Sequence, residues 1–206
     1  MPGGSPRRLV VATRNEHKLR ELGEILEGIE LRPLPEGIEL PPETGGTFAE
    51  NALIKARAAR AATGEPSIGD DSGIEVRALG GAPGVRSARY AGADASDAEN
   101  LAKLIDELSG AVDRSVAYVC VIAQVDELGD ESVHEGRCEG ELILEPRGRG
   151  GFGYDPAFVP AATGADDPRT MAELSPAEKH AISHRGIAAR LLARFLGLAP
   201  VGTGHD

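Results

Sequence analysis

Two adjacent carboxylates are the sharpest chemical signal in this sequence. Asp70 and Asp71 open an Asp-Asp-Ser-Gly string that we place at the end of a strand. There, one carboxylate oxygen could bind a hard cation while another orients water or a ligand. The same string often caps a turn, which is the structural alternative. Glu43 and Glu50 offer further carboxylates within the preceding thirty residues.

The basic residues and the net charge restrict the class of ligand. Lys18, Lys55 and Lys179 could neutralise a polyanion, although each alone is typical of a solvated surface charge. The chain has 22 Lys and Arg against 33 Asp and Glu, a formal net charge of −11. Such a surface repels phosphate-rich polymers, which argues against broad nucleic-acid binding. A small polyanion remains compatible if a divalent metal and a few cations offset the field, so we expect carboxylates gathered around a metal.

The aromatic residues are few and concentrated. The chain has four Phe, three Tyr and no Trp, and Phe152, Tyr154 and Phe158 fall within seven residues of a Gly-rich stretch. This concentration predicts a binding loop. The alternative is a turn that packs its rings into a small core.

Two other patterns do not support the chemistry that they suggest. Residues 148–153 match Gly-x-Gly-x-x-Gly, but Pro146 precedes them and a Tyr-Asp-Pro string follows, so no helix N-terminus is available for a dinucleotide. His180 and His184 have the spacing of zinc ligands on a helix. However, Ala181 stands where a zinc protease carries its general-base Glu, and no third ligand is evident.

Local patterns predict the elements that position these residues. Capping residues mark four helix starts, at Asn15, Thr47, Ser96 and Ser175, and the helix behind Ser175 is expected to continue to Phe195. Apolar and β-branched runs predict strands at 8–13 and 74–79, an extended piece at 29–34, and an antiparallel hairpin of 114–125 with 133–144. Residues 35–46, rich in Pro, Gly and Glu, are expected to form a mobile loop.

Composition and length complete the class assignment. With 206 residues, 41% hydrophobic and 27% charged, the chain predicts one globular domain, or two lobes that share a sheet. Helices alternate with strands early and a hairpin follows, which favours an α/β fold with a mixed sheet. We expect loose tails at about residues 1–7 and 199–206. The absence of an apolar run of ~18 residues, a start too short and polar for a signal peptide, and two distant cysteines favour a cytoplasmic protein.

Taken together and in order, several strings resemble the motifs of the inosine/xanthosine triphosphate pyrophosphatases, from about Leu9 to Leu192. These strings are Ala12–Lys18, Glu43–Gly45, Thr47–Ala52 with Lys55-Ala56, Asp70–Gly73, Gly80–Gly84, Ser87–Tyr90, Gly150–Pro156 and Ser183–Gly186. One departure is Arg14, where the family commonly has glycine. Because only glycine tolerates positive φ freely, the backbone of this first loop is a point for the structure to decide.

The resemblance implies an elongated two-lobed α/β fold around a long mixed sheet, with a substrate cleft between the lobes. It implies a magnesium-dependent homodimer, with Mn²⁺ as a possible metal, that converts deaminated purine nucleoside triphosphates to monophosphate and pyrophosphate. Asp71 would be the proton acceptor that activates water, and Glu43 and Asp71 would hold the metal. The implied substrate-binding residues are Thr13, Asn15, Lys18, Lys55 and Ser72 at the phosphates, and Phe152, Gly153, Tyr154, Asp155, Lys179, His184 and Arg185 at the base.

Two rival functions remain open at this point. A related septum-inhibition-type pyrophosphatase would act on pyrimidine or methylated nucleotides, but the Ser183-His184-Arg185 string and the Phe152 loop argue against it. A non-catalytic nucleotide-binding module would not need the Asp70-Asp71 pair together with Glu43.

Overall fold

The computed structural model describes residues 7–198 and contains six strands and five α-helices within that range. The predicted loose tails lie outside the described residues, apart from Arg7, which begins the first strand. The strands are β1 (Arg7–Val11), β2 (Ile29–Pro33), β3 (Ser67–Val76), β4 (Ser115–Val125), β5 (Glu131–Leu142) and β6 (Phe158–Pro160). The helices are α1 (Glu16–Ile25), α2 (Phe48–Thr63), α3 (Asp97–Leu108), α4 (Pro176–Ile182) and α5 (His184–Phe195).

The strands form one mixed sheet in the order β2-β1-β3-β4-β5-β6, which confirms the α/β class. β1 pairs in parallel with both β2 and β3, and β5 pairs antiparallel with β6. Parallel neighbours need crossover connections, and α1 and α2 lie in those connections along the chain. β4 and β5 are neighbours, as the hairpin prediction required.

The predicted helix starts are confirmed, because they depend only on nearby residues. Asn15 accepts hydrogen bonds from the first turn of α1. Thr47, Ser96 and Ser175 each form a full capping box, in which the hydroxyl accepts from the third helical N–H and a Glu side chain accepts from the cap.

Two predictions about element boundaries are wrong. Asp70 and Asp71 do not lie at a strand end before a second strand at 74–79; they lie inside one continuous strand, β3, and Arg77–Leu79 is a short 3-10 turn. The last helix is interrupted at Ser183, whose ψ of 152° ends α4 before α5 begins. The apolar spacing continues across Ser183, so periodicity alone could not reveal this break.

The described residues fall into two compact units. Unit 1 takes in the described residues of Met1–Asp71, Val121–Gly136 and Arg185–Asp206, and unit 2 takes in Ser72–Cys120 and Arg137–His184. Within unit 1, one apolar cluster is built by Val10, Ala12, Leu34 and Ala59. Within unit 2, the main core packs α3 residues such as Leu104 with Tyr118, Tyr154 and Phe158. No helix in residues 7–198 has the length and apolarity to cross a bilayer.

A glycine allows α2 to pack directly on β3 within unit 1. A Cβ at Gly69 would lie 2.2 Å from the carbonyl oxygen of Ala52 and 2.8 Å from the backbone nitrogen of Ala56. Both distances are far below van der Waals contact, so the two backbones approach closely only because Gly69 has no side chain. This approach brings the α2 face that carries Lys55 onto the strand that carries Asp71.

We expect Gly69→Ala to lower the free energy of unfolding by about 1–3 kcal/mol or more, because the added methyl overlaps backbone atoms that cannot rotate away. Gly23→Ala is the matched control. Gly23 lies in α1 with open space around its missing Cβ, so alanine should stabilise the helix by ~0.5–1 kcal/mol. Urea unfolding measures both changes, and equal stability of Gly69→Ala and wild type would contradict the close packing.

Candidate functional site

Asp71 lies at the centre of a buried polar cluster in unit 1. Its side chain accepts a hydrogen bond from the Lys55 ammonium, with Nζ 3.3 Å from Oδ1. The same ammonium donates to Glu43, with Nζ 2.6 Å from Oε1. Asp71 and Lys55 are only 5% and 7% exposed. The structure thus brings together residues of two separate sequence motifs, one with Glu43 and Lys55 and the other with Asp71.

The pKa values of this pair move in the directions that burial and opposite charge dictate. Burial raises the pKa of Asp71 above its ordinary value, and Glu43 raises it further, while the Lys55 charge opposes the shift. Burial alone would lower the pKa of Lys55, but Asp71 and Glu43 outweigh it and raise it. A carboxylate whose pKa is raised towards neutrality accepts a proton more effectively, so Asp71 suits the role of a general base.

Asn51 is a member of this cluster to which the sequence analysis gave no role. It is fully buried, and its amide nitrogen donates to Asp71, with Nδ2 3.1 Å from Oδ2. Its amide oxygen accepts from the Gly45 N–H at 2.8 Å. Asn51 and Lys55 are four residues apart and share one face of α2. The sequence contained one signal for this role: Asn51 falls in the helical pattern of Ala52, Ala56 and Ala59, which indicates a polar side chain on the face of α2 that packs on the core.

Asp70 belongs to a second set of buried charges in unit 1. It is 1% exposed and forms an ion pair with Lys18 through Oδ1. Its Oδ2 accepts from Arg185 Nε at 3.2 Å, and Arg185 Nη1 donates to Glu21. The sequence analysis gave Glu21 no role either. It is a carboxylate of α1 that is only 7% exposed, next to the buried Leu22.

Arg185 is a cation of this second set of charges. Its side chain is 1% exposed and lies on Asp70 and Glu21. The reason is electrostatic, because two carboxylates buried this deeply need a cation, and a planar guanidinium can serve both at once. These two contacts compensate the charge of the buried carboxylates. The expected contact of Arg185 with the base stays a prediction.

The loop after β1 is organised by its own side chains. Asn15 Oδ1 accepts from the N–H groups of His17 and Lys18, and Thr13 Oγ1 accepts from the Asn15 N–H. No non-glycine residue among residues 7–198 has positive φ, so Arg14 fits without strain. Its guanidinium donates to the carbonyl oxygens of residues 34, 35 and 38 at 2.7–3.0 Å. The Arg14 side chain, at the position where the family commonly has glycine, thus fixes residues 34–38 against the loop after β1.

Glu43 and Asp71 form the candidate metal site. Their carboxylate oxygens converge on the Lys55 ammonium, and such oxygens are the donors that Mg²⁺ prefers. Mg²⁺ commonly takes one or two protein carboxylates and completes its shell with water and phosphate oxygens. A pair therefore fits this metal, although residues 7–198 contain no group of three or more His, Cys, Asp or Glu arranged to hold an ion.

In unit 2, the loop from Gly151 to Asp155 forms the second candidate cluster. Asp155 Oδ2 accepts from the Phe152 N–H and from Lys179 Nζ, both at 2.9 Å. A Cβ at Gly151 would lie 2.0 Å from this oxygen, and the φ of Gly151 is +70°. Only glycine is compatible with both conditions, so the loop requires glycine at position 151.

The three clustered aromatic rings have different environments. Phe152 is half-buried, and Lys179 Nζ lies 5.0 Å from the centre of its ring. Tyr154 and Phe158 are 5% and 0% exposed and belong to the core of unit 2. The Tyr154 hydroxyl donates to the Ser87 carbonyl oxygen at 2.7 Å. The core interpretation is therefore confirmed for Tyr154 and Phe158, and Phe152 alone of the three remains accessible to a ligand.

The remaining predicted residues of unit 2 lie as follows. His184 stacks on Tyr118, with ring centres 4.6 Å apart and planes inclined by 14°. Burial, reinforced by Asp155, raises the pKa of Tyr118 well above its ordinary value. The Gly153 N–H donates to Asp97 at 2.8 Å, and Ser72 is half-buried in β3.

The two zinc-like histidines belong to different helices. His180 lies in α4 and His184 begins α5, so the four-residue spacing does not place them on one helix face. Likewise, no α-helix follows the Gly148–Gly153 stretch; Asp155–Ala157 forms a 3-10 turn. Both rejections made from sequence are consistent with this geometry.

Comparison with known sequences supports a single family. The Ham1 family model matches residues 9–195. A protein of Coxiella burnetii named dITP/XTP pyrophosphatase is 46% identical over 91% of this chain and 96% of its own length. A protein of the same name from Frankia alni is 51% identical, over 92% of this chain and 96% of its own length.

Solved structures give the same result. A HAM1 protein from Coxiella burnetii matches with a TM-score of 0.83 at 44% identity, covering 93% of this chain and 98% of that one. The Staphylococcus aureus Ham1 protein matches with a TM-score of 0.82 at 39% identity over the same shares. This chain therefore has the same fold as these two proteins.

We expect Arg185→Ala to lower the free energy of unfolding by about 3–5 kcal/mol, because it leaves Asp70 and Glu21 buried without their shared cation. Arg8→Ala is the control, since Arg8 pairs with Glu30 where both side chains are largely exposed, and its loss should cost no more than ~1 kcal/mol. Urea unfolding compares the two. Similar losses in both variants would show that Arg185 does not compensate buried charge.

Proposed function

The chain belongs to the Ham1 family, and from that premise we propose that it hydrolyses deaminated purine nucleoside triphosphates to the monophosphate and pyrophosphate. The substrates would be the triphosphates of inosine, deoxyinosine and xanthosine. Relatives of about half identity that span nearly the whole chain are named for this activity. The observation that carries the proposal is the buried Asp71, held by Lys55 beside Glu43.

The charged residues of unit 1 suit the phosphate end of such a substrate. Lys18 and Lys55 would neutralise charge that develops on the phosphate oxygens during the reaction. Thr13, Asn15 and Ser72 would donate hydrogen bonds to the same oxygens. A triphosphate carries about four negative charges, and local cations allow a chain of net charge −11 to bind it.

Glu43 and Asp71 would hold Mg²⁺, or Mn²⁺ in its place. When bound, the metal supplies positive charge against the phosphate oxygens and acidifies water in its shell. Two of the three N–H donors of the Lys55 ammonium contact Glu43 and Asp71, so the third could serve a phosphate oxygen.

The reaction breaks the anhydride bond between the α and β phosphoryl groups. The oxygen of a water molecule forms the new bond to phosphorus, and pyrophosphate and the nucleoside monophosphate separate. Asp71 accepts the proton that water loses. The family resemblance assigns this role to Asp71, and its neighbour Asp70 is paired with Lys18 and Arg185.

The aromatic loop and α4 of unit 2 suit the base. Phe152 would lie against the purine, and stacking of this kind contributes ~1–3 kcal/mol without selecting a base. Lys179 and His184 would donate to the oxygen at purine position 6 of hypoxanthine and xanthine. Adenine has an amino group there, and a donor left unpaired costs ~1–3 kcal/mol, which disfavours ATP. Gly153, Tyr154 and Asp155 would support this pocket by shaping the loop.

The setting follows from the same proposal. An enzyme that clears abnormal nucleotides from the precursor pool acts in the cytoplasm, where that pool lies. The two cysteines, Cys120 and Cys138, are free and buried, which is compatible with a reducing compartment. We propose a homodimer, as the family resemblance implies.

We expect ITP, dITP and XTP to yield pyrophosphate and monophosphate in equal amounts in the presence of Mg²⁺, because the triphosphate is held in one register. Removal of divalent metal with EDTA should abolish turnover, and added Mg²⁺ should restore it. Chromatography of the products, with ATP, GTP and pyrimidine triphosphates as comparison substrates, measures this. Accumulation of the nucleoside diphosphate would contradict the proposed bond cleavage, and preference for pyrimidine nucleotides would favour the septum-inhibition type.

We expect Asp71→Asn to lower kcat by ~10²–10⁴-fold, because the amide keeps the shape of the side chain but cannot accept a proton from water. Asp166→Asn, at an exposed position, is the control and should keep wild-type turnover. Thermal melts of both variants separate loss of chemistry from loss of fold. Near-normal turnover of Asp71→Asn would assign the base to another group.

A further inference from the structure

We propose that Asn51 is a positioning residue for the reaction, one whose amide fixes both the orientation of Asp71 and the segment that carries Glu43. This inference rests on the proposed function, since it assigns how the catalytic carboxylate is held. It adds a role that neither motif resemblance nor charge suggests, because Asn51 is neutral and fully buried.

The two oxygens of Asp71 have different partners, and both partners come from one helix face. Lys55 donates to Oδ1 at 3.3 Å, and Asn51 donates to Oδ2 at 3.1 Å. A carboxylate held at one oxygen can rotate about its Cβ–Cγ bond, whereas one held at both oxygens cannot do so without losing a contact. Asn51 therefore fixes the plane of the Asp71 carboxylate relative to Lys55.

The direction of the Asn51 amide is itself fixed. Its Oδ1 accepts from the Gly45 N–H at 2.8 Å, so the nitrogen must point towards Asp71. The alternative flip would place the amide oxygen against a carboxylate and the amide nitrogen against an N–H donor. A hydrogen-bond network of this kind has a single satisfied arrangement.

The same contact ties the loop before α2 to the site. Gly45 lies two residues after Glu43, and a Cβ at Gly45 would meet Asn51 Oδ1 at 2.7 Å and the Glu50 Cβ at 2.6 Å. The segment therefore packs directly onto the start of α2. One side chain thus sets the relative positions of Asp71 and Glu43, the two carboxylates assigned to the metal and to water.

The chain contains a matched control in unit 2. Asn100 is 2% exposed, its Oδ1 accepts from the Ala91 N–H at 2.7 Å, and its Nδ2 donates to the Ala88 carbonyl oxygen at 3.2 Å. It makes the same two kinds of contact as Asn51, but with backbone groups only. Replacement of either asparagine by leucine is the same change of side chain at a buried position, and it removes one donating and one accepting contact.

The first experiment compares Asn51→Leu with Asn100→Leu, using the intact chain with Mg²⁺. Binding of the α,β-imido analogue of ITP gives the number of competent sites, and kcat is expressed per site. We expect Asn51→Leu to lower kcat ~10–100-fold, with the Kd of the analogue within about threefold of wild type. Asn100→Leu should keep wild-type kcat per site. Equal kcat per site in both variants would overturn the proposal, because a merely structural asparagine changes only the number of sites.

A second experiment needs no turnover and applies even if Asn51→Leu does not fold. Asn51→Asp keeps the acceptor for Gly45 but opposes Asp71 with a second carboxylate, so it should destabilise the fold. Adding Asp71→Asn restores the hydrogen bond in the opposite direction, because the new amide at position 71 can donate to the new carboxylate at position 51. Urea unfolding should then show that the double variant is more stable than Asn51→Asp alone. Additive effects of the two substitutions would overturn the contact. If wild type and Asn100→Leu release no pyrophosphate from any nucleotide, the proposed function fails, while this cycle still tests the Asn51 contact.

Discussion

The close packing of α2 on β3 at Gly69 is the constraint on which the rest of unit 1 depends. Because no side chain intervenes, the α2 backbone comes near enough for two residues on one helix face, Asn51 and Lys55, to reach Asp71. A larger residue at position 69 would push the helix outwards and lengthen both contacts together. The geometry of this polar cluster is therefore set by a residue that has no side chain.

Burial of charge explains the composition of the surrounding cluster. Removing carboxylates from water is costly, so each buried carboxylate needs a cation or a good donor nearby. Lys55 serves Glu43 and Asp71, whereas Arg185 serves Asp70 and Glu21. The two adjacent aspartates thus have different partners. Such a network contributes less to stability than an apolar core would, but it holds charge in fixed places, which a reaction on phosphates requires.

The Gly151–Asp155 loop of unit 2 is also held in place by buried side chains. Tyr154 anchors the loop in the core through its ring and through its hydroxyl bond to Ser87. Asp155 then ties the Phe152 backbone to Lys179. The Tyr154 ring and the Asp155 carboxylate therefore hold Phe152 and Lys179 in a defined arrangement, with the ammonium near the ring. Tyr154 and Asp155 thus support the loop, while their neighbour Phe152 is more exposed than either.

Local chemistry in the sequence was sufficient for the helix starts, the α/β class and the family motifs, since a cap or a turn depends on residues three or four positions apart. It also brought Asp71, Lys55 and Glu43 into one hypothesis, through motif resemblance. It could not show that Asp70 and Asp71 lie inside a strand, that Ser183 divides the last helix, or that Arg185 turns towards Glu21. Those features depend on partners such as residues 21 and 185, which are 164 positions apart and meet only when the chain has folded. The tertiary structure decided them, because the free energy of a buried charge depends on which groups surround it in space.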